Sequence, residues 1–193
     1  DADGDLDLYV TNYRTDTFHD PPRGVRIESR RLPDGTSLIE PRDRFLGIPT
    51  RAGGVEVLER GEPDVFYINK GGTNFVAAPW NVGVFLNDLG EALSEAPRDW
   101  GLAVLFRDLN GDHLPDLFVC NDFVYWTDRM WLNQGGRRFQ APPRMALRNS
   151  SLSSMSIDVA DLDRDGHDEF FVAEMLSPGR EDRARQRPDT LEN

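Results

Sequence analysis

The chain has 193 residues, 38% of them hydrophobic and 29% charged, which bounds it at one or two globular domains. The net charge is −12, and the single cysteine, Cys120, excludes an internal disulfide framework and any cysteine-based zinc finger. No apolar run is long enough to span a bilayer, no secretory leader is visible, and no basic cluster marks a nucleic-acid footprint.

Taken in chain order, the acids fall into three short segments. Asp1, Asp3, Asp5 and Asp7 run into Leu8-Tyr9-Val10. Asp108-Leu-Asn110-Gly111-Asp112-His113-Leu-Pro-Asp116 runs into Leu117-Phe118-Val119. Asp161-Leu-Asp163-Arg-Asp165-Gly166-His167-Asp168-Glu169 runs into Phe170-Phe171-Val172. These segments hold twelve acids, as many as the whole net charge. In register, oxygen side chains fall at positions 1, 3, 5 and 9 of each loop. The first loop begins at its third position, which points to a fragment.

Alternating oxygen side chains in a tight loop suit a hard cation. Two carboxylates about 5 Å apart repel by about 3 kcal/mol at an effective dielectric of 20, and a divalent ion reverses that sign. Oxygen-only donors in a flexible loop favour Ca²⁺. The candidate ligands are Asp108, Asn110, Asp112 and Asp116, then Asp161, Asp163, Asp165 and Glu169. Asp1, Asp3 and Asp7 form the remnant of another site. An EF-hand requires Glu at position 12 and flanking helices. Here position 12 is Val10, Val119 and Val172, and the flanking segments Leu102–Phe106 and Met155–Val159 read as strands.

Between the acidic loops a second element recurs. Asp64-Val-Phe-Tyr-Ile-Asn69-Lys-Gly71-Gly72-Thr-Asn-Phe75 matches Asp128-Arg-Met-Trp-Leu-Asn133-Gln-Gly135-Gly136-Arg-Arg-Phe139. Each reads as a hairpin with an Asn-x-Gly-Gly turn, where glycine supplies positive φ. Strand, acidic loop, strand, connection and hairpin make four strands per unit, and Asp108 to Asp161 sets the period. That is the arithmetic of a β-propeller. The expected fold is all-β, a partial β-propeller of about three four-stranded blades. Its segments are the end of a truncated blade at 1–12, an insertion at 13–62, blades at 63–120 and 121–176, and a polar tail at 177–193. The insertion is expected to hold a hairpin from Val25 to Ile39 around Pro33-Asp34-Gly35, and Asp88 to Ala96 a short helix.

The loops and the Asn-x-Gly-Gly-x-x-Phe hairpins resemble FG-GAP/VCBS repeats, those of integrin α-subunit propellers and many bacterial surface proteins. Asp99-Trp-Gly-Leu102, Val119-Cys-Asn-Asp-Phe123 and Phe171-Val-Ala-Glu-Met-Leu176 are similar to bacterial proteins of the cartilage-acidic-protein type, which often carry an ASPIC/UnbV domain. The resemblance implies a seven-bladed propeller, export to the periplasm, cell surface or exterior, and calcium-stabilised blades.

For catalysis the sequence offers little. It has no His-Glu-x-x-His, Gly-x-Ser-x-Gly or Cys-x-x-Cys. His113 and His167 sit inside acidic loops, and Cys120 reads as a buried thiol. Phe123-Val-Tyr125-Trp126 is not matched in the repeat, so Tyr125 and Trp126, with Asp122 beside them, are the recognition candidates. The expected role is binding or adhesion, with a protein or glycan partner and structural calcium. The rivals are a propeller-type polysaccharide lyase or hydrolase, which would need an acid–base pair outside the calcium loops, and a purely structural spacer.

Overall fold

A computed structural model describes residues 3–14, 26–123, 125–147, 150–175 and 179. Asp1, Val25, most of the 177–193 tail and the first part of the insertion lie outside the described residues. The fold is all-β: among the described residues, fourteen strands and one wide turn at Trp80–Val84, gathered into open sheets.

The strands group as partial blades. The first sheet joins β1 (Leu8–Val10), β6 (Val65–Asn69) and β7 (Phe75–Ala77) in that order. The second carries β9 (Gly101–Arg107), β10 (Asp116–Asn121), β11 (Arg129–Asn133) and β12 (Phe139–Gln140). A short strand, β8 (Phe85–Leu86), adds in parallel to its outer edge. The third pairs β13 (Ser154–Ala160) with β14 (Glu169–Glu174). Equivalent registers show the repeat: Leu8 opposes Tyr67 in the first sheet, and Leu117 opposes Trp131 in the second.

Between β1 and β6 stand two hairpins. One pairs β2 (Glu28–Arg31) with β3 (Ser37–Glu40), with Gly35 at positive φ in its turn. The other pairs β4 (Phe45–Pro49) with β5 (Val55–Glu59), a hairpin the sequence reading did not anticipate. The helix expected from Asp88 to Ala96 does not form. Asn87 closes a turn there, its Oδ1 accepting from the N–H groups of Leu89 and Glu91, and Gly90 adopts a φ of 81° that a helix excludes.

Alternation along β10 decides the packing. All six of its residues are buried, because a sheet covers each face. Leu117 and Val119 turn to the first sheet, joining Tyr9, Phe66, Trp80, Phe85, Trp131 and Phe139 in the main core. Trp80 stacks on Phe85 with ring centroids 4.0 Å apart, and Phe66 meets Phe139 edge-on at 5.4 Å, so the two sheets interdigitate through aromatic rings. Phe118 points the other way and packs against Phe170 of β14 at 5.7 Å. β13 also lies against β9. The order of strand and Asn-x-Gly-Gly hairpin recurs in the first two sheets (β1-β6-β7 and β10-β11-β12), and β13–β14 repeats the β9–β10 pair, which gives a partial propeller-like fold.

Candidate metal centre and the clamps that position it

The two complete acidic loops close the turns β9–β10 and β13–β14 at the same end of their sheets. Their backbones match through an exchange. Position 4 takes positive φ in both, at Gly111 (81°) and Arg164 (65°), and so does position 6, at His113 (68°) and Gly166 (91°). Each loop therefore places its glycine at one of two left-handed positions and strains an ordinary residue at the other. This is why His113 stands where the third loop has glycine.

In the third loop, the carboxylates of Asp161, Asp163 and Glu169 offer oxygens that all lie within 4.8 Å of one another. Asp165 turns its backbone N–H to Asp161 Oδ1 and Asp163 Oδ1, both at 3.1 Å, and its Oδ1 accepts from the N–H of His167. Among the described residues this is the one group of three acids so converged. The second loop spends its carboxylates on peptide groups. Asp108 accepts from the N–H groups of Gly111, Asp112 and His113 at 2.7–3.1 Å. Burial pushes its carboxyl up, but those N–H groups outweigh it and hold Asp108 below the usual carboxylate range. Asn110 donates to Asp112 Oδ2 at 3.0 Å. Asp116 is fully buried, with Leu109 N–H on one oxygen at 2.9 Å and Asn133 N–H on the other at 2.7 Å; burial raises its pKa. The loops face each other across a cleft of about 680 Å³ that both histidines line, and Arg107 at the end of β9 pairs with Asp168 across it. In the first loop, Asp3 pairs with Arg137 of the β11–β12 turn at 3.1 Å, and Asp7 Oδ1 accepts from Asn69 N–H at 2.9 Å.

The position-9 carboxylate thus does a job the sequence reading did not assign. Asp7 and Asp116 each accept from the backbone N–H of the asparagine that opens the Asn-x-Gly-Gly turn. That asparagine's amide donates back to the carbonyl just before the acid, Leu6 at 3.2 Å and Pro115 at 3.0 Å, while its Oδ1 accepts from Gly71 or Gly135. A second clamp lies at the other end of the same strand pair. Asp64 Oδ1 accepts from Asn12 N–H at 2.7 Å, and Asp128 Oδ1 from Asn121 N–H at 2.9 Å; Asn12 and Asn121 donate to the carbonyls of Pro63 and Thr127. The signal for these clamps was present in the sequence, since Asp and Asn recur at matched places in both hairpins.

The second clamp carries a perturbed group. Burial lifts the Asp64 carboxyl to about 6, against the lowering effects of Asn12 N–H and the Tyr9 hydroxyl at 3.0 Å. Burial also raises Tyr9, and Asp64 adds to it. Nearby, Asp99 pairs with Arg129 and outweighs the burial that would lower the guanidinium's pKa.

The recognition candidates come apart. Trp126 is buried, edge-on to Trp100 at 6.4 Å, so packing consumes the ring that was expected to be offered outward. Asp122 is buried as well. It accepts from the hydroxyls of Tyr13 and Ser153, and its Oδ1 also accepts from the adjacent Phe123 N–H. Tyr125 remains exposed, with its hydroxyl donating to Glu56 at 2.9 Å, and Phe123 and Tyr13 are exposed beside it. Cys120 is a buried free thiol.

No helix among the described residues is long and apolar enough to cross a membrane. No curated protein and no solved structure matches the chain. Residues 108–172, from the first acid of the second loop into β14, match the family model of the FG-GAP-like repeat, so the chain contains such a repeat across its second and third sheets.

Proposed function

We propose that this chain is a calcium-stabilised β-propeller segment of an exported bacterial protein that serves binding or adhesion. The observation that carries the calcium reading is the convergence of Asp161, Asp163 and Glu169 within 4.8 Å at the tip of a strand–loop–strand turn. All three donors are oxygens, which fits Ca²⁺ better than a softer metal. Asp161, Asp163, Asp165 and Glu169 would hold one ion and Asp108, Asn110, Asp112 and Asp116 a second. Bound calcium would neutralise the crowded carboxylates and pin the loop. The protein's own residues then fix the geometry: the clamps at Asp7 and Asp116 tie the first and second loops to their neighbouring hairpins, so order at those loops is passed to the blade.

The partner face lies at the opposite end of the strands, where Tyr13, Phe123 and Tyr125 leave aromatic surface exposed beside the β10–β11 connection. Such rings suit a protein side chain or a sugar face. The finer placement, among cartilage-acidic-protein-type proteins that carry an ASPIC/UnbV domain, rests on the Asp99–Leu102 and Phe171–Leu176 stretches.

An enzymatic reading would start from Asp64, whose raised pKa lies outside the acidic loops. Its repeat partner Asp128 makes the same bond to the equivalent asparagine and gives its other oxygen to the Ser154 hydroxyl. A group duplicated in successive blades, with both oxygens engaged, fits a clamp better than an acid–base pair.

A calcium titration by calorimetry, paired with a thermal melt in EDTA, tests the proposal. Saturable binding that disappears stepwise in Asp161→Asn and Asp108→Asn, with a Tm that rises in calcium, is expected. Extracellular sites bind at about 10⁻⁴–10⁻³ M, so about 1 kcal/mol per site is the expected gain at millimolar calcium. Absence of both heat and shift refutes the metal reading.

A further inference from the structure

Three arginines converge on a cavity that the calcium reading does not use. It lies between the two inserted hairpins and the chain leading into β9, with a volume of about 450 Å³. Arg42, Arg60 and Arg98 line it. The neighbouring arginines are neutralised: Arg44 pairs with Glu59 at 2.8 Å, and Arg14 lies within 4.0 Å of Glu59 and 3.8 Å of Glu62. The cavity arginines are not. The guanidinium groups of Arg42 and Arg98 have no ion-pair or hydrogen-bond partner among the described residues. Arg60 donates Nη1 to the Arg42 carbonyl at 3.1 Å, while its buried Nε has no partner among the described residues. A buried donor left unmade is costly, and three guanidinium groups against two carboxylates, Asp43 and Glu95, leave the lining one positive charge in excess in a chain of net charge −12, which favours an anion.

The remainder of the lining narrows the anion's chemistry. Leu46, 39% exposed, makes an apolar floor together with the buried Ile39 and Phe45. Asp43 and Glu95 stand at the wall with no ion-pair or hydrogen-bond partner among the described residues. A bare inorganic ion would gain nothing from two carboxylates and an apolar floor. A sugar acid uses all three: its carboxylate meets the planar guanidinium forks, its hydroxyls donate to Asp43 and Glu95, and its C–H face lies on the floor. We propose that this cavity binds an acidic sugar, a uronate-type residue held through its carboxylate by Arg42, Arg60 and Arg98. The site is separate from the acidic loops, so it stands or falls independently of calcium binding.

The test is calorimetric titration of the whole chain, in calcium, with D-glucuronate, D-glucose and sodium sulfate in parallel. Glucuronate is expected to bind saturably, glucose and sulfate at least about tenfold more weakly. Arg98→Gln and Arg42→Gln are each expected to weaken glucuronate about tenfold, the loss of one charge-assisted contact, with Tm unchanged because neither side chain holds the fold. Should either variant lose Tm, amide shifts of Gly47 in the cavity wall, followed by NMR in the unaltered chain, report occupancy directly. Equal binding of glucose, equal binding of sulfate, or no saturable binding of glucuronate overturns the proposal.

Discussion

The Asp64 clamp makes a stability prediction with a definite sign. Its carboxyl is lifted from the ordinary 3.8 to about 6, with burial as the first cause. A carboxyl that is harder to ionise in the folded state than in the unfolded one binds its proton more tightly when folded. Its contribution is therefore fully present below about pH 4 and is lost as pH rises through about 6. The displacement corresponds to about 3 kcal/mol across that window. Other carboxyls titrate there too, so the readout is a difference. In Asp64→Asn the amide oxygen can keep the Asn12 N–H and the group stays neutral, which removes the slope. Urea denaturation of both proteins between pH 4 and 7.5 should show the parent losing about 3 kcal/mol relative to the variant as pH rises. Parallel curves would mean that Asp64 is ionised without cost in the folded chain and that the clamp is not buried as described.

Two further outcomes follow from packing and backbone. Phe118 is 2% exposed and bridges the second and third sheets through Phe170, so Phe118→Ala should cost about 3–5 kcal/mol by denaturant unfolding. A loss below about 1 kcal/mol would show that β14 is not packed on β10. Gly166 sits at φ 91° with open space where a Cβ would be, so Gly166→Ala strains the backbone without a clash. It should lower stability by about 1 kcal/mol without reducing loop acidity, and a neutral result would refute the left-handed loop shape.

Much of the fold was legible in the sequence because the repeat writes its own grammar. Acids at fixed spacing followed by Leu-Tyr-Val, Leu-Phe-Val or Phe-Phe-Val locate the loop and the strand behind it. The Asn-x-Gly-Gly turns locate the hairpins, and all four of their glycines do take positive φ. What escaped was whatever depends on neighbours outside the repeat. The β4–β5 hairpin was hidden because Phe45–Pro49 contains glycine and proline, and its fold rests on Phe45 packing inward and on the Thr50–Gly54 turn. Trp126 looked available because it lies in a connection, yet Trp100, twenty-six residues earlier, buries it. The clamps escaped for another reason. Spacing shows that Asp116 recurs, but not that both of its oxygens are already taken by peptide groups.

That double engagement makes Asp116 the residue on which the loop's role can be decided. A carboxylate held by Leu109 N–H and Asn133 N–H ties the second loop to the β11–β12 hairpin with no ion required. In Asp116→Asn, one oxygen can keep one N–H, but the amide sets a donor against the other, which should cost about 1–3 kcal/mol in EDTA. If the carboxylate also supports the ion, the penalty should grow in calcium, because the variant forfeits binding energy as well as the clamp. Measuring the loss of stability in EDTA and in saturating calcium separates the two contributions. A penalty equal in both conditions would make Asp116 a clamp alone and remove it from the ligand set. A penalty confined to calcium would refute the clamp, because the bonds to Leu109 and Asn133 would then contribute nothing on their own. The expected result is a loss in both conditions, larger with the ion, since a loop already tied to its blade has less left to order when the cation arrives.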